Sequence, residues 1–195
     1  LPTEAAMSIW KKPITLEECK RTSENTATSH LGIEFTEVGD DYLVGRVPVD
    51  ERTRQPFGLL HGGVSVVLAE TLGSIGAFYA SPEGHRGVGL DINANHLRAA
   101  TSGWVTGTAR PVHIGRTTQV WAIEMVNEAG ELTCVSRITM AMLAEWSGVS
   151  VNTIKSWVYY GQVAMKNSPS LKRVADVLRV GVEELRGRKA PEVEL

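Results

Sequence analysis

The sequence predicts an α+β fold in which a β-sheet wraps around one long central helix, followed by a small helical extension at the C-terminus. The segment Gly62–Phe78 is rich in Val, Leu, Ala and Gly without strand-like alternation, which predicts a helix about 25 Å long. Because this helix is apolar nearly all round, we expect it to be covered on most sides. Strand-like runs dominate the rest of residues 7–143, so the expected cover is a sheet.

Six strand-like runs and one short helix accompany the long helix. Thr15 and Glu18 have the spacing of a capping box and predict the start of the short helix. Runs bounded by Gly, Pro, Asn and Asp predict strands at Ile33–Val38, Tyr42–Val49, Gly87–Asn95, Gly103–Val112, Thr117–Val126 and Leu132–Leu143. Pro48 should lie at a strand end or edge, because it has no N–H to donate. Periodicity does not determine the order of the strands in space.

Length, charge and cysteine usage limit the possible classes of protein. A chain of 195 residues accommodates one domain, here residues 7–143, and a small appendage, residues 144–195. We interpret residues 1–6 as a leader or cloning remnant. A net charge of −2 argues against a surface that is a nucleic-acid footprint throughout. Two cysteines without metal-ligand spacing, and no evident signal peptide or membrane span, predict a cytoplasmic protein without a metal site.

One carboxylate and one imidazole stand alone in the long apolar segment. Between Arg54 and Glu83 the sequence contains a single acidic residue, Glu70, and a single histidine, His61. A carboxylate that loses solvation becomes a stronger base, so Glu70 is suited to act as a general base or nucleophile. Helical spacing places Ser74 on the same side of the helix as Glu70.

The start of the long helix is a candidate oxyanion site. Gly62 and Gly63 have backbone N–H groups without intrahelical partners, and without side chains they allow a carbonyl to approach closely. Gln55 and His61, on the loop that enters the helix, could orient a carbonyl or a water. The combination indicates hydrolysis of an acyl group. The residues alone leave an alternative for each side chain. Glu70 could instead be a structural carboxylate paired with an arginine, and His61 could be a histidine that only stabilises the turn.

A resemblance narrows these alternatives. The runs that carry it are Gln55-Pro56-Phe57-Gly58-Leu59-Leu60-His61-Gly62-Gly63, Leu68-Ala69-Glu70-Thr71-Leu72-Gly73-Ser74, Asn93-Ala94-Asn95-His96 and His113-Ile114-Gly115-Arg116. They resemble bacterial hotdog-fold acyl-CoA thioesterases, in particular those acting on 1,4-dihydroxy-2-naphthoyl-CoA and those that clear misloaded aryl carrier proteins. The resemblance covers about residues 7–143 and implies an antiparallel sheet around one helix, assembled as a homodimer or homotetramer.

The resemblance also implies roles for individual residues. Glu70 would be the catalytic carboxylate, Gly62 the N–H donor to the thioester carbonyl, and Ser74 a ligand of the water. Gln55 and His61 would position the carbonyl or the acyl group. The residues expected to contact the acyl-CoA or acyl carrier protein are Gly63, Val88, Gly89, His96, His113 and Arg116. No separate cofactor is implied, since coenzyme A is part of the substrate.

Residues 144–195 depart from this pattern. The run from Leu143 to Lys155 resembles two helices of a repressor-type helix-turn-helix, which would bring Asn152, Thr153 and Lys155 to DNA. A first helix is missing and the segment is only mildly basic, so a packing or oligomerisation extension, or a residual fusion segment, is the favoured interpretation. The alternative function is an acyl-CoA-sensing regulator that binds DNA through these helices.

Overall fold

The computed structural model describes residues 8–144 as a six-stranded antiparallel sheet packed against one long helix. Its helices are α1 (Leu16–Thr22), α2 (Ala27–His30) and α3 (Gly62–Tyr79). Its strands are β1 (Glu34–Val38), β2 (Leu43–Pro48), β3 (His85–His96), β4 (Trp104–Ile114), β5 (Thr118–Val126) and β6 (Leu132–Ala144). The predicted α+β fold, with an antiparallel sheet around one helix, is confirmed. The helix-turn-helix interpretation lies outside the described residues, and the division of the chain at residue 143 stays a prediction.

The strands lie in the order β1-β2-β4-β5-β6-β3, and every neighbouring pair is antiparallel. β1 and β2 form a hairpin closed by a hydrogen bond of 2.9 Å from the Gly39 N–H to the Tyr42 carbonyl. Pro48 is the last residue of β2, as expected. After α3 the chain enters β3, which pairs with β6 alone within the described chain. The 12-residue β3 is therefore an edge strand.

Glycines bring α3 unusually close to the sheet. A Cβ at Gly73 would lie 2.4 Å from Ile138 Cγ2, and one at Gly76 would lie 2.8 Å from the Trp121 ring. From the opposite side, a Cβ at Gly107 would lie 3.0 Å from a methyl group of Leu72. Ile138, Trp121 and Leu72 are fully buried. The space that the missing side chains leave is filled by large apolar side chains, which is how the core reaches close packing.

The expectation that α3 is covered on most sides is met only in part within a single chain. One side of the helix is half-buried or exposed, namely Gly63, Val66, Val67, Glu70, Thr71, Ser74, Ile75 and Phe78. Its length and hydropathy alone would suffice to cross a membrane, but half of the helix is buried inside this fold. We therefore interpret α3 as the core helix of the sheet, with one side left open.

The N-terminal helices flank that open side, with α2 in contact with α3 and α1 packed on β1. Thr15 caps α1 as predicted, its Oγ1 accepting from the Glu18 N–H at 3.1 Å. The Glu18 carboxylate, however, pairs with Arg21 rather than completing the capping box. The sequence analysis did not predict α2. Its N-cap is Thr26, and Ser29, at the third position of the helix, completes the capping box. A helix of one turn is too short to show helical periodicity in the sequence. Ser29 also takes the place of the Glu or Gln that usually marks a capping box.

The packing of Gly73 against Ile138 gives a prediction for stability. Gly73→Ala should lower the free energy of unfolding by about 1–3 kcal/mol, because overpacking outweighs the gain of up to about 1 kcal/mol in helix propensity. Urea denaturation measures the change. Ile138→Ala removes the obstructing methyl group, so the double variant should be less destabilised than the sum of the two single variants. Additive losses would contradict the contact as the cause.

Candidate active site

Glu70 lies in the middle of the open side of α3, with its carboxylate held at one oxygen. Its Oε1 accepts a long hydrogen bond of 3.4 Å from the Oγ of Ser74, one turn further along the helix. Ser74 Oγ also lies 3.8 Å from Met140 Sδ. The hydrogen bond that the structure gives Glu70 therefore comes from a serine rather than from an arginine. This argues against the interpretation of Glu70 as one half of a structural ion pair.

A groove of about 470 Å³ opens beside Glu70, between α3 and the N-terminal helices. Its lining residues are Thr22, Ser23, Thr26, Thr28, Glu70, Thr71, Ser74, Ile75, Phe78 and Tyr79. Burial raises the pKa of Tyr79 to about 12, so this phenol is neutral at physiological pH. Glu70 is thus the single charged residue of a lining that combines apolar side chains with hydroxyl groups. The volume lies within the range of small-molecule sites.

The N-terminus of α3 leaves one backbone donor free. His61 is the N-cap, and its Nδ1 accepts from the Gly63 N–H at 2.9 Å. The expectation that both glycine N–H groups are free is therefore wrong for Gly63. The N–H of Gly62 makes no hydrogen bond within the described chain. His61 fulfils the structural role that the sequence left open, while its catalytic role stays a prediction.

The loop before α3 is fixed by its own hydrogen bonds. The His61 N–H donates to the Thr53 carbonyl at 2.8 Å, and the Leu60 N–H donates to the Ala100 carbonyl at 2.8 Å. Thr53 is buried and its hydroxyl donates to the Pro48 carbonyl at 2.6 Å. These contacts orient the first turn of the helix, and with it the free N–H of Gly62.

A second cavity, of about 350 Å³, lies at this N-terminus. Its lining residues are Gln55, Leu59, Leu60, Gly62, Ser65, His96, Leu97, Arg98, Ala99, Ala100 and Thr133. The His96 ring packs on Gly62, where a Cβ would lie 2.9 Å from its Nε2. The Gln55 Oε1 accepts from the Phe57 N–H, which leaves the amide group of Gln55 as a donor. The donors available for a carbonyl are concentrated here.

The structure therefore divides the predicted site into two halves. One half contains Glu70, Ser74 and Gly89, and the other contains Gly62, Gln55 and His96. Eight residues of helix separate Gly62 from Glu70, which corresponds to about 12 Å. One acyl carbon cannot contact both within the same chain.

The remaining predicted residues lie on β3, at the end of β4 and in the β4–β5 turn. Val88 is on the edge strand β3 and is 47% exposed. His113 belongs to the end of β4, Arg116 follows at the β4–β5 turn, and neither lines the groove or the second cavity. Their contact with a substrate stays a prediction. No group of three or more His, Cys, Asp or Glu residues suited to a metal occurs within residues 8–144.

The sequence analysis missed most of the groove. Thr22, Thr26 and Thr28 belong to a hydroxyl-rich run, and Ile75 and Phe78 follow Thr71 at helical spacing. The helical spacing from Thr71 to Phe78 was the available signal. It could not show that the N-terminal run faces this side of α3.

Comparisons with known proteins agree on one family. Residues 57–134 match the model of the thioesterase superfamily. The chain is 50% identical over 135 residues to the 1,4-dihydroxy-2-naphthoyl-CoA hydrolase of Escherichia coli, covering 69% of this chain and 99% of that protein. It is 48% identical to the proofreading thioesterase EntH of Cronobacter turicensis, covering 69% and 98%. The crystal structure of a Haemophilus influenzae thioesterase superposes with a TM-score of 0.71 at 49% identity, covering 73% and 99%.

Proposed function

The chain belongs to the thioesterase superfamily and is a thioester hydrolase, and we propose that it hydrolyses aryl-CoA thioesters with Glu70 as base or nucleophile. The observation that carries the proposal is the half-buried Glu70, whose carboxylate belongs to the lining of a groove that is otherwise uncharged. A carboxylate so placed can activate a water or attack the thioester carbonyl itself. Coenzyme A enters as part of the substrate.

We propose that a second copy of the chain completes the site. The backbones of Gly62 and Glu70 are about 12 Å apart along one helix, whereas reacting atoms must approach to about 3–3.5 Å. The edge strand β3 has a free edge and exposes Val88 and Leu90. A long exposed edge strand is suited to pairing with another chain. A twofold pair joined along β3 would give two equivalent sites, each with Gly62 from one copy and Glu70 from the other.

In this assembly the chemistry follows from the two halves. The Gly62 N–H, at the positive end of α3, stabilises the negative charge that develops on the thioester oxygen. In the general-base route, Glu70 takes a proton from water, the water oxygen bonds to the carbonyl carbon, and the carbon–sulfur bond then breaks. The thiolate of coenzyme A leaves and the proton passes to it. In the nucleophilic route, a Glu70 carboxylate oxygen bonds to the carbonyl carbon, the carbon–sulfur bond breaks and the thiolate of coenzyme A leaves, and water then hydrolyses the resulting anhydride to the free acid and the Glu70 carboxylate.

The groove favours an aromatic acyl group with polar substituents. Ile75 and Phe78 supply apolar walls, and Thr28 and Thr71 place two hydroxyl groups 3.4 Å apart across the groove. Hydroxyl groups of that kind can donate to, and accept from, substituents on a ring. This lining supports an acyl group such as 1,4-dihydroxy-2-naphthoyl or a benzoyl-like group. An acyl carrier protein remains open as the carrier in place of coenzyme A.

The interpretation as an acyl-CoA-sensing DNA-binding regulator rests on residues 144–195 alone. Asn152, Thr153 and Lys155 lie outside the described residues. Glu70 in its groove favours turnover, because a sensor has no need of a base there. The thioester hydrolase is therefore the function that we propose.

The first prediction for the proposed function concerns the catalytic role of Glu70. Glu70→Gln keeps the shape of the side chain but removes the base, so kcat should fall by about 10²- to 10⁴-fold. Release of the free thiol from 1,4-dihydroxy-2-naphthoyl-CoA and benzoyl-CoA measures the rate. Glu124→Gln, an exposed carboxylate on β5, is the matched control and should hydrolyse at the rate of the unchanged chain. Full activity of Glu70→Gln would refute the role of this residue.

A second prediction tests the shared site by complementation. Glu70→Gln and Gly62→Val each impair one half of the site, the valine by displacing His96 from the helix N-terminus. Co-expressed with different tags, the two variants should form mixed pairs in which one of two sites is intact. Random pairing should then recover about a quarter of the activity. Glu70→Gln co-expressed with Glu70→Ala should recover none, and a failure of the first pair to recover activity would exclude a shared site.

A third prediction concerns the acyl group. Replacing Thr28 and Thr71 with valine keeps the volume of the groove but removes its hydroxyl pair. We expect kcat/KM for a hydroxylated aroyl-CoA to fall by about threefold to tenfold, the value of one hydrogen bond, while benzoyl-CoA hydrolysis is retained. Steady-state kinetics with both substrates provides the ratio. Equal losses of kcat/KM for the hydroxylated aroyl-CoA and for benzoyl-CoA would show that the hydroxyl groups of Thr28 and Thr71 do not contact the acyl group.

A further inference from the structure

We propose that Gly89 is a positioning residue for Glu70, leaving Oε1 anchored and Oε2 as the oxygen that acts on the substrate or water. This inference rests on the proposed role of Glu70 and assigns Gly89 a function beyond contact with coenzyme A. It derives from three observations: an irregularity in β3, a steric contact, and the hydrogen bond from Ser74.

The pairing of β3 with β6 shifts next to Gly89. Gly89 is opposite Met140 and Asp91 is opposite Thr139, so Leu90 is an extra residue in the edge strand. Such a bulge bends a strand locally and changes the direction of its groups, and bulges are frequent beside active sites. Here the shift occurs where β3 passes the middle of α3.

At this point the backbone of β3 reaches the carboxylate. A Cβ at Gly89 would lie 2.7 Å from Glu70 Oε1, but 3.6 Å from Cδ and 3.7 Å from Oε2. Oε1 also accepts from Ser74 Oγ at 3.4 Å. One oxygen is thus enclosed between the strand and the helix. Oε2 has no hydrogen bond within residues 8–144, so it is the oxygen that remains for chemistry.

Backbone conformation does not account for a glycine here. Within residues 8–144 the glycines with positive φ are Gly32, Gly58, Gly84, Gly103 and Gly130, and Gly89 is not among them. The backbone conformation at residue 89 is therefore compatible with alanine. The obstacle is the Glu70 carboxylate, which occupies the space that the added methyl group needs. The obstructing atom is the end of a flexible side chain, so the fold can accommodate a methyl group by moving the Glu70 carboxylate. The consequence of the substitution should fall on catalysis rather than on folding.

Gly87, in the same strand, provides the matched control. A Cβ there would lie 3.2 Å from Met140 Cε, the flexible end of a methionine, and meets no carboxylate. Gly89→Ala and Gly87→Ala therefore add the same methyl group to β3, two residues apart. A kcat that falls for both alike would show a general effect on the strand and overturn the proposal.

The first measurement is steady-state hydrolysis of an aroyl-CoA by both variants. Displacing a catalytic group by about 1 Å can cost about 10²-fold. We expect Gly89→Ala to lower kcat by about that factor with KM nearly unchanged, and Gly87→Ala to retain activity. A raised KM with kcat retained would assign Gly89 to substrate binding alone and would overturn the proposal.

A shorter carboxylate provides the second measurement. Glu70→Asp withdraws the oxygens from β3, so Gly89→Ala should reduce kcat much less in this background than in the presence of Glu70. A crystal structure of Gly89→Ala should show Glu70 Oε1 displaced and its distance to Ser74 Oγ increased. The same fractional loss in both backgrounds, or an unmoved carboxylate, would refute the positioning role. Failure of the proposed function itself would appear separately, as full activity of Glu70→Gln.

Discussion

Helix α3 packs against the sheet through glycines, and the positions of the candidate catalytic groups follow from that contact. Gly73 and Gly76 admit Ile138 and Trp121 to the surface of the helix, which fixes both the distance and the rotation of α3. With Gly73 and Gly76 facing the core, Glu70 and Ser74 lie about 90° and about 130° around the helix axis from the middle of that face, which places both on the open side, Glu70 at its border. The same rotation brings Glu70 against the backbone of β3. The geometry of the site is therefore a consequence of core packing.

A second consequence is that one chain contains both halves of a site but cannot use them together. Gly62 and Glu70 belong to the same rigid helix, and no side-chain rotation closes about 12 Å. Twofold pairing solves this without any new residue, since each copy offers what the other lacks. The open side of α3 and the free edge of β3 are neighbours, because Gly89 on that edge touches Glu70. A partner that pairs with the edge would also come close to the groove.

Local patterns predicted the elements well and their exposure less well. The bounds of α3 differ by one residue from the sequence expectation, and β3 begins at His85 rather than Gly87. The expectation of cover on most sides is met only in part, because an apolar helix has the same sequence whether its own sheet or a second chain covers it. Glu70, His61 and Gly62 were singled out from their isolation and spacing and given catalytic roles by a resemblance, and those roles stay predictions. The groove was not predicted, because α2 and its threonines meet α3 only through tertiary contacts that no periodicity records.

Within one chain, the two functional groups of α3 lie in different electrostatic surroundings. The backbone dipoles of α3 concentrate positive potential at its first turn, where the Gly62 N–H is free, and this effect falls off within that turn. Glu70 lies two turns further on, beyond the reach of the dipole of its own helix, whereas in the proposed twofold pair it faces the first turn of the partner's α3. Within its own chain, the surroundings of Glu70 are the Ser74 hydroxyl, the β3 backbone and an uncharged groove. Within each chain the oxyanion donor is thus held by the turn at His61 and the base by Ser74 and β3, and the proposed twofold pair brings the donor of one copy to the base of the other.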